Sequence, residues 1–319
     1  MHFRDVIARS EFIFTIGVAG DSGSGKTTFT DAIRTVFGQE LVSTITLDDY
    51  HRYDRNDRHR KGMTPLVPAA NNIGLLERHL SLVKRGQSFD KPVYDHDTGM
   101  FAPPEHFTPT KIVIFEGLHT LFTGALRRNL DFTLFVDPDE SVKREWKLKR
   151  DVTDRGYVEA DVVAEMEKRK PDYERYIAPQ KAFADAVVRI APSQFGGGGG
   201  ASRYRATILQ RREQHSTPGI ALSIDLASIL ALAERDFLLE FVVTGEKEEK
   251  RGALTVDGEL HCDIIGRLER HVERETGISP VAFLAGKEYV SAIEIVRLIL
   301  AWRIIGRRIA LGAGVDDAS

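Results

Sequence analysis

Along residues 12–192 the hydrophobic pattern switches repeatedly between two periods. "FIFTIGVA" (12–19) is a continuous apolar run rich in β-branched residues and ends at a glycine-rich turn, which predicts a buried strand. In "KTTFTDAIRTVFG", which follows that turn, Phe29, Ile33, Val36 and Phe37 recur at helical spacing, and Gly38 supplies a stop. The alternation continues with a strand over 41–47, an amphipathic helix over 71–86, a strand over 111–117, a helix through Arg128 and a strand over 130–137. A highly charged helix over 139–156, a helix "VEADVVAEMEKRK" stopped near Pro171, and a strand over 184–192 complete the series. Strands separated by helices imply an α/β fold with a doubly wound, mostly parallel sheet flanked by helices.

The pattern then changes. Gly196 to Gly200 are five consecutive glycines, which prefer no single backbone geometry and read as a linker or long loop over 194–202. Beyond it, "RYRATILQR", "GIALSIDLA" and "FLLEFVVTG" read as strands. "ALTVDGELHCDI" reads as a hairpin turning at Asp257-Gly258. Two helices are expected over 263–276 and 287–311. The division expected is a catalytic domain over 1–193, the glycine-rich linker, and a smaller α+β segment over 203–319 that carries no catalytic motif.

Composition narrows this picture. The chain has 319 residues, 42% of them hydrophobic, and a formal net charge of -3, which gives no sign of wholesale nucleic-acid or membrane binding. Cys262 is the single cysteine, so no internal disulfide can form, and a cytoplasmic setting is expected. The N-terminus lacks a signal-peptide core. The apolar stretch "YVSAIEIVRLILAWRIIGRRIALGAG" is interrupted by Glu294, Arg297, Arg303, Arg307 and Arg308, and so reads as a buried helix and not a membrane span.

The strongest chemical signal is "GDSGSGKT", Gly20 to Thr27, which fits G-x-x-x-x-G-K-[ST] between a strand and a helix. Gly20, Asp21, Ser22, Gly23, Ser24, Gly25, Lys26, Thr27 and the following Thr28 are the expected nucleotide-binding set. Glycines let backbone N–H groups turn toward phosphate oxygens, and the helix N-terminus adds partial positive charge. Lys26 is placed to reach the β- and γ-phosphates of ATP, and the Thr27 hydroxyl to ligate Mg²⁺. The loop fixes nucleotide binding and no particular reaction. A guanine-reading N-K-x-D segment and a transporter-type signature are both missing from the sequence.

Ligands of a parallel sheet lie beyond the carboxyl ends of its strands. "VAGDSG", "TLDDYH" and "IFEGLH" therefore converge, bringing Asp48, Asp49, His51 and Glu116 toward the same phosphates. A carboxylate there is costly unless it faces a metal or a donor hydroxyl. Glu116 fits metal support, and Asp48 fits a catalytic base for a substrate hydroxyl. Asp49 is left between solvent and metal-bound water. His106 and His119 lack metal-ligand spacing and read as structural.

"GDSGSGKTTF", "DDYHRYDR", "KPVYDHDTG", "FEGLH", "KRDVTDRG" and "PDYERYIAPQ" occur in this order. Together they resemble the phosphoribulokinases, within the wider P-loop family that also contains uridine kinase and bacterial pantothenate kinase. The resemblance covers roughly 12–192. Past residue 200 only a general likeness to the dimerising part of archaeal-type members remains. It implies transfer of the γ-phosphoryl of ATP to the C1 hydroxyl of ribulose 5-phosphate, with Mg²⁺ as cofactor, no nucleic-acid or membrane partner, and a homodimer.

By the same resemblance Asp48 is the base, and His51 and Arg55 contact the sugar phosphate. Tyr94 and His96 help hold the acceptor, and Glu116 is the acidic strand-end residue. Lys147, Arg150, Asp151 and Arg155 belong to a charged mobile lid, with Arg150 catalytic beside Asp48 and Lys26. An acceptor that already carries a phosphate needs cations, and His51, Arg52, Arg55 and Arg58 offer several; a nucleoside needs no such cluster. Light-regulated members carry a cysteine in the phosphate loop where this chain has Ser24, which removes that route of thiol switching. The alternatives are a uridine/cytidine-type kinase and a non-catalytic ATP-binding regulator.

Overall fold

The computed structural model describes residues 7–8, 10–196, 203–211, 235–244, 251–266, 270 and 287–316. The strand "GIALSIDLA", residues 267–269 and 271–276 of an expected helix, and all of the glycine run except Gly196 lie outside them. The chain divides into two compact units, one of Glu11–Thr30 with Val42–Val187 and the other of Met1–Ser10, Asp31–Leu41 and Val188–Ser319.

In the first unit, four parallel strands lie in the order β6-β1-β5-β2, where β1 is Phe14–Gly20, β2 Val42–Thr46, β5 Ile112–Gly117 and β6 Phe132–Pro138. Every residue of β1 is buried, as expected of a parallel strand covered on both faces. Val18 and Thr46 both lie opposite Glu116, so β1, β2 and β5 end together and their following residues share one edge. Helix α1 (Lys26–Phe37) starts on the glycine turn after β1; its residues to Thr30, with Phe29 buried, belong to this unit, and those from Asp31, with Ile33 and Phe37 buried, to the other. It is followed by α2 (Arg55–Arg60) and α3 (Ile73–Lys84). Asn72 caps α3 by accepting the Leu75 N–H, and Leu76, Leu80 and Val83 of α3 pack with Ile45, Val113 and Phe115 of the sheet. Burial of each such side chain contributes about 1.5–3 kcal/mol.

A two-stranded ribbon, β3 (Phe89–Asp95) with β4 (Met100–Phe107), stands apart from the sheet. Asp95 Oδ2 accepts from Thr98 Oγ1 at 2.8 Å in the connecting turn, and Gly99 closes the turn at φ +74°. The sequence reading contains no such ribbon. Pro92, Pro103 and Pro104 break its alternation, and they fit only because each strand pairs on one side, with the register shifting between Lys91 and Val93.

After α4 (Gly124–Arg128) and β6 come α5 (Glu140–Leu148) and a π-type turn over Lys149–Asp154. Helix α6 (Glu159–Asp172) runs through Pro171, where a stop was expected, and continues as a second π-type turn, Tyr173–Ile177.

In the second unit, β7 (Ala186–Pro192), β8 (Tyr204–Arg211), β10 (Arg251–His261) and β11 (Tyr289–Ser291) are neighbours in that order, and β9 (Phe237–Thr244) also pairs with β10. The expected hairpin at Asp257-Gly258 is not formed. β10 runs straight through both residues, pairing with β8 as far as Val256 and with β9 as far as Gly258. Asp257 is fully buried, and its Oδ2 accepts the Gln194 N–H at 3.0 Å, so it serves the interior and not a solvated turn tip. Gly258 has φ +87°, and a Cβ there would come 1.9 Å from the Asp236 carbonyl oxygen. The glycine therefore answers a close strand approach. Helix α7 (Ala292–Asp316) starts later than the expected 287 because 289–291 pair with β10. No helix among the described residues is long and apolar enough to cross a membrane.

Candidate active site

All the residues below lie in the first unit. The phosphate loop leaves β1 at Gly20, and Gly23 and Gly25 hold φ +78° and +86°. At Gly25 a Cβ would come 2.9 Å from the Trp146 ring, and at Gly23 it would come 3.2 Å from the Lys147 Cβ. Helix α5 therefore lies directly on the loop. Asp21 anchors it there through a 2.9 Å ion pair with Lys143, whose ammonium also sits 4.5 Å from the Tyr173 ring centre.

Lys26 Nζ turns back onto the loop, donating to the Gly20 and Asp21 carbonyls at 3.2 and 2.7 Å. Burial lowers its pKa, opposed by the charges of Glu116, Asp48 and Asp21. Thr27 Oγ1 donates to Glu116 Oε1 at 2.9 Å, which sets two hard oxygen ligands side by side at the loop. Ser24 Oγ is buried and makes no hydrogen bond among the described residues.

Beyond β2 the chain makes a 3-10 turn, Leu47–Tyr50, that points Asp48 and Asp49 apart. Asp49 accepts from Lys91 Nζ at 3.1 Å and from the Tyr94 N–H at 2.9 Å. It fixes the ribbon to the turn after β2. Asp48 keeps its oxygens for the crevice. His96 Nε2 lies 3.3 Å from one of them and His51 Nε2 3.9 Å from the other. Burial opposes its ionisation, but the His96 hydrogen bond and the nearby His51 and Lys26 outweigh this and hold the carboxyl well below the usual carboxylate range. The same bond raises the pKa of His96 against its partial burial.

His51 is buried, and burial lowers its pKa. Asn71 Nδ2 is committed to the Pro65 and Val67 carbonyls, so Asn71 Oδ1 accepts from His51 Nδ1 at 2.8 Å. That bond leaves Nε2 facing Asp48. Arg55 donates from its backbone to the Gly99 carbonyl at 2.9 Å and from Nη2 to the His96 carbonyl, tying α2 to the ribbon turn. Asp54 is the N-cap of α2, accepting the Asp57 N–H at 2.7 Å. Tyr94 is buried, its hydroxyl accepting from Arg58 Nη2 at 3.0 Å, and its ring stacks edge-on to both His51 and His96. Tyr94 and Arg58 thus shape the wall from behind. Among the described residues no hydrogen bond or ion pair draws the Arg52 side chain into the group.

The charged segment after β6 forms the opposite wall. Lys147 is 6% exposed and its ammonium makes no hydrogen bond or ion pair among the described residues; burial pushes its pKa down to about 8. Arg150 donates to Ser22 Oγ at 3.3 Å and to both oxygens of Asp151 at 2.8 and 3.1 Å. Arg155 donates to Asp151 at 3.3 Å. Asp151 is itself buried, and it aligns these guanidiniums. Lys143, Trp146, Asn71 and Lys91 complete the arrangement without having stood out in the sequence. Lys143 and Asp21 lie 122 residues apart, and no local pattern links them.

A nucleotide-phosphate loop, a carboxylate at the neighbouring strand end, an acidic residue beside the loop threonine and a basic arm over the loop define a P-loop kinase. The chain belongs to the phosphoribulokinase / uridine kinase family, whose model matches residues 15–195. It is 44% identical over 182 residues to a phosphoribulokinase of Synechocystis sp., a match covering 57% of this chain and 55% of that protein. It is 32% identical over 176 residues to a uridine kinase of Latilactobacillus sakei, covering 54% of this chain and 83% of that protein. The chain spans about half the length of the curated phosphoribulokinases it matches. Among solved structures, a phosphoribulokinase from Rhodobacter spheroides superposes with a TM-score of 0.53 at 19% identity, covering 84% of this chain and all of that one. At that identity the superposition speaks for the fold alone.

Proposed function

We propose that the protein transfers the γ-phosphoryl group of ATP to the C1 hydroxyl of ribulose 5-phosphate, giving ribulose 1,5-bisphosphate and ADP. The observation that carries this reading is Asp48, an ionised carboxylate at the strand end beside the phosphate loop, set between His51 and His96. Asp48 orients the acceptor hydroxyl and accepts its proton late, as a loose phosphoryl-transfer transition state requires. Lys26, Lys147 and Arg150 neutralise charge on the transferring group, and Gly20–Thr28 cradle the nucleotide phosphates. Thr27 and Glu116 would hold Mg²⁺, their two oxygens 2.9 Å apart at the loop. The ion supplies charge neutralisation on the phosphates.

His51, Arg55, Tyr94, His96, Lys147, Asp151 and Arg155 form the acceptor side of the site in this reading. The acceptor's own phosphate is met by Arg55 and the lid arginines. The greater identity to a phosphoribulokinase than to a uridine kinase supports the choice of acceptor. Residues 1–193 are proposed as the catalytic domain, 194–202 as a linker and 203–319 as a dimerising segment of archaeal type. The exposed Phe241, Val242 and Val243 of β9 support a homodimer. A cytoplasmic enzyme supplying a carboxylase route of carbon fixation follows from the same reading.

The test is an ADP-release assay with ATP·Mg²⁺ and a panel of ribulose 5-phosphate, uridine, cytidine and pantothenate. Turnover is expected with ribulose 5-phosphate alone. Turnover with uridine in its place, or hydrolysis that ignores every acceptor, would defeat the reading. Arg55→Ala is expected to raise KM for ribulose 5-phosphate roughly 10- to 100-fold with a smaller change in kcat, the scale of losing one charge-assisted bond. Initial rates over a range of acceptor concentration check this, and an unchanged KM removes Arg55 from the acceptor side.

A further inference from the structure

Asn71 and His51 face each other in an antiparallel bridge. The Arg52 N–H closes it on one side by donating to the Ala70 carbonyl at 2.8 Å, and the Asn72 N–H on the other by donating to the Tyr50 carbonyl at 2.7 Å. Asn71 is 6% exposed, and its side chain is engaged at three points. Nδ2 donates to the Pro65 and Val67 carbonyls at 2.9 and 3.0 Å, and Oδ1 lies 2.8 Å from His51 Nδ1. Carbonyl oxygens only accept, so the amide cannot be turned round without setting oxygen against oxygen. The loop that carries those carbonyls is itself held. Thr64 Oγ1 donates to Asp172 Oδ2 at 2.6 Å and accepts the Leu66 N–H at 3.2 Å.

This arrangement fixes the state of the His51 ring. Its Nδ1 must carry a proton, because Asn71 Oδ1 has none to give. Burial lowers the pKa of the ring, opposed by the charge of Asp48 and the Asn71 bond and reinforced by Arg58 and His96. At neutral pH the ring is therefore uncharged, with its one proton on Nδ1 and a lone pair on Nε2. Nε2 makes no hydrogen bond among the described residues, and it lies 3.9 Å from Asp48 Oδ1. Those two atoms are both acceptors, too far apart for a hydrogen bond and with no proton between them. His96 is the contrasting neighbour. Its Nε2 lies 3.3 Å from Asp48 Oδ2 and its pKa is raised, so it faces the carboxylate as a donor.

We propose that Asn71 is a positioning residue that sets the His51 tautomer, and that His51 Nε2 thereby accepts a hydrogen bond from the C3 hydroxyl of the acceptor while Asp48 engages the C1 hydroxyl. A neighbouring pair of acceptor atoms suits a pair of hydroxyls, each with one proton to give. The acceptor's phosphate, mostly a dianion at neutral pH, has no proton for Nε2. C2 of ribulose 5-phosphate is a ketone and has none either, so C3 carries the hydroxyl nearest to C1. The inference rests on the proposed reaction and on Asp48 as its base. It moves His51 from the phosphate contact that the resemblance implies to a hydroxyl contact, and it gives the site a means of reading the configuration at C3.

The test uses the full chain, with melting temperature followed for each variant. In ¹⁵N-histidine-labelled protein near neutral pH, the His51 signals, identified by their loss in His51→Gln, are expected to show the Nδ1–H tautomer. A proton on Nε2 overturns the proposal. Kinetics with ATP·Mg²⁺ then compare ribulose 5-phosphate with its C3 epimer, xylulose 5-phosphate. The wild type is expected to prefer ribulose 5-phosphate at least about 100-fold in kcat/KM, as a site built for a hydroxyl does. Asn71→Ala is expected to cut that preference roughly 10- to 100-fold, the scale of leaving a buried polar group mispaired, with KM for ATP within about twofold. A purely structural Asn71 would lower both sugars alike, and that result, or no preference in the wild type, overturns the proposal. If the alanine variant does not fold, His51→Gln and His51→Lys decide. Glutamine keeps a neutral acceptor oxygen near Nε2 and is expected to hold more of the preference than lysine; the reverse order marks a phosphate contact and overturns the proposal. No turnover of either sugar by the wild type defeats the proposed reaction and this inference with it, an outcome distinct from turnover without preference at C3.

Discussion

Asp48→Asn is expected to lower kcat by about 10²- to 10⁴-fold, the range supplied by a positioned general base. The substitution keeps the shape of the side chain and removes its charge. The carboxylate stands 3.3 Å from His96 Nε2 and 3.9 Å from His51 Nε2, so an amide has the space but neither the proton affinity nor the charge these rings face. Affinity for ATP·Mg²⁺ should stay within about threefold, because the loop and the Thr27–Glu116 pair are untouched. Calorimetric titration with a non-hydrolysable ATP analogue, beside initial rates, separates the two effects. A collapse of nucleotide affinity would show that Asp48 serves the metal and not the acceptor.

Lys147→Met is expected to cost about 10²- to 10³-fold in kcat, comparable to removing one preorganised charge from a phosphoryl-transfer site. Methionine keeps most of the buried stem that packs on Gly23, so the packing loss is small. What disappears is a buried ammonium with no ion pair among the described residues, on the wall above the phosphate loop. Its pKa is pushed down to about 8 by burial, so the free protein loses that charge as pH rises through about 8. The wild-type kcat/KM for ATP should therefore fall on the alkaline side of that value, because this ratio reports the free enzyme. Lys147→Arg keeps its charge far beyond that pH, and the alkaline fall should move upward. A pH–rate profile identical in Lys147→Met and wild type would take Lys147 out of the reaction.

The parts of the site that could be read from the sequence are those whose meaning is local. The phosphate loop needs its glycines, lysine and threonine at fixed spacing between a strand and a helix, and Gly20–Thr27 satisfies this within eight positions. Asp48 and Glu116 were accessible because parallel strands end on one edge, which the register of Val18, Thr46 and Glu116 realises. Asp49 was not, because its partner Lys91 lies on a ribbon whose prolines disguise it. Asp257-Gly258 carried the strongest short turn signal in the chain, but the burial of Asp257 and the close approach of Asp236 to Gly258 override it. Tertiary demand at that point determines the conformation, and no window of neighbouring residues contains it. Lid residues Arg150, Asp151 and Arg155 were visible as a charged run, yet the way Asp151 gathers both guanidiniums depends on a π-type turn that periodicity does not reveal.

The central claim is that this protein places a second phosphate on ribulose 5-phosphate. The most direct measurement is ³¹P NMR of the product formed from ATP·Mg²⁺ and ribulose 5-phosphate, with Asp48→Asn run in parallel. The account predicts two phosphomonoester signals, from C1 and C5 of one sugar, growing in step with ADP in the wild type and nearly absent in the variant. Inorganic phosphate growing with ADP while the sugar keeps a single signal would contradict it.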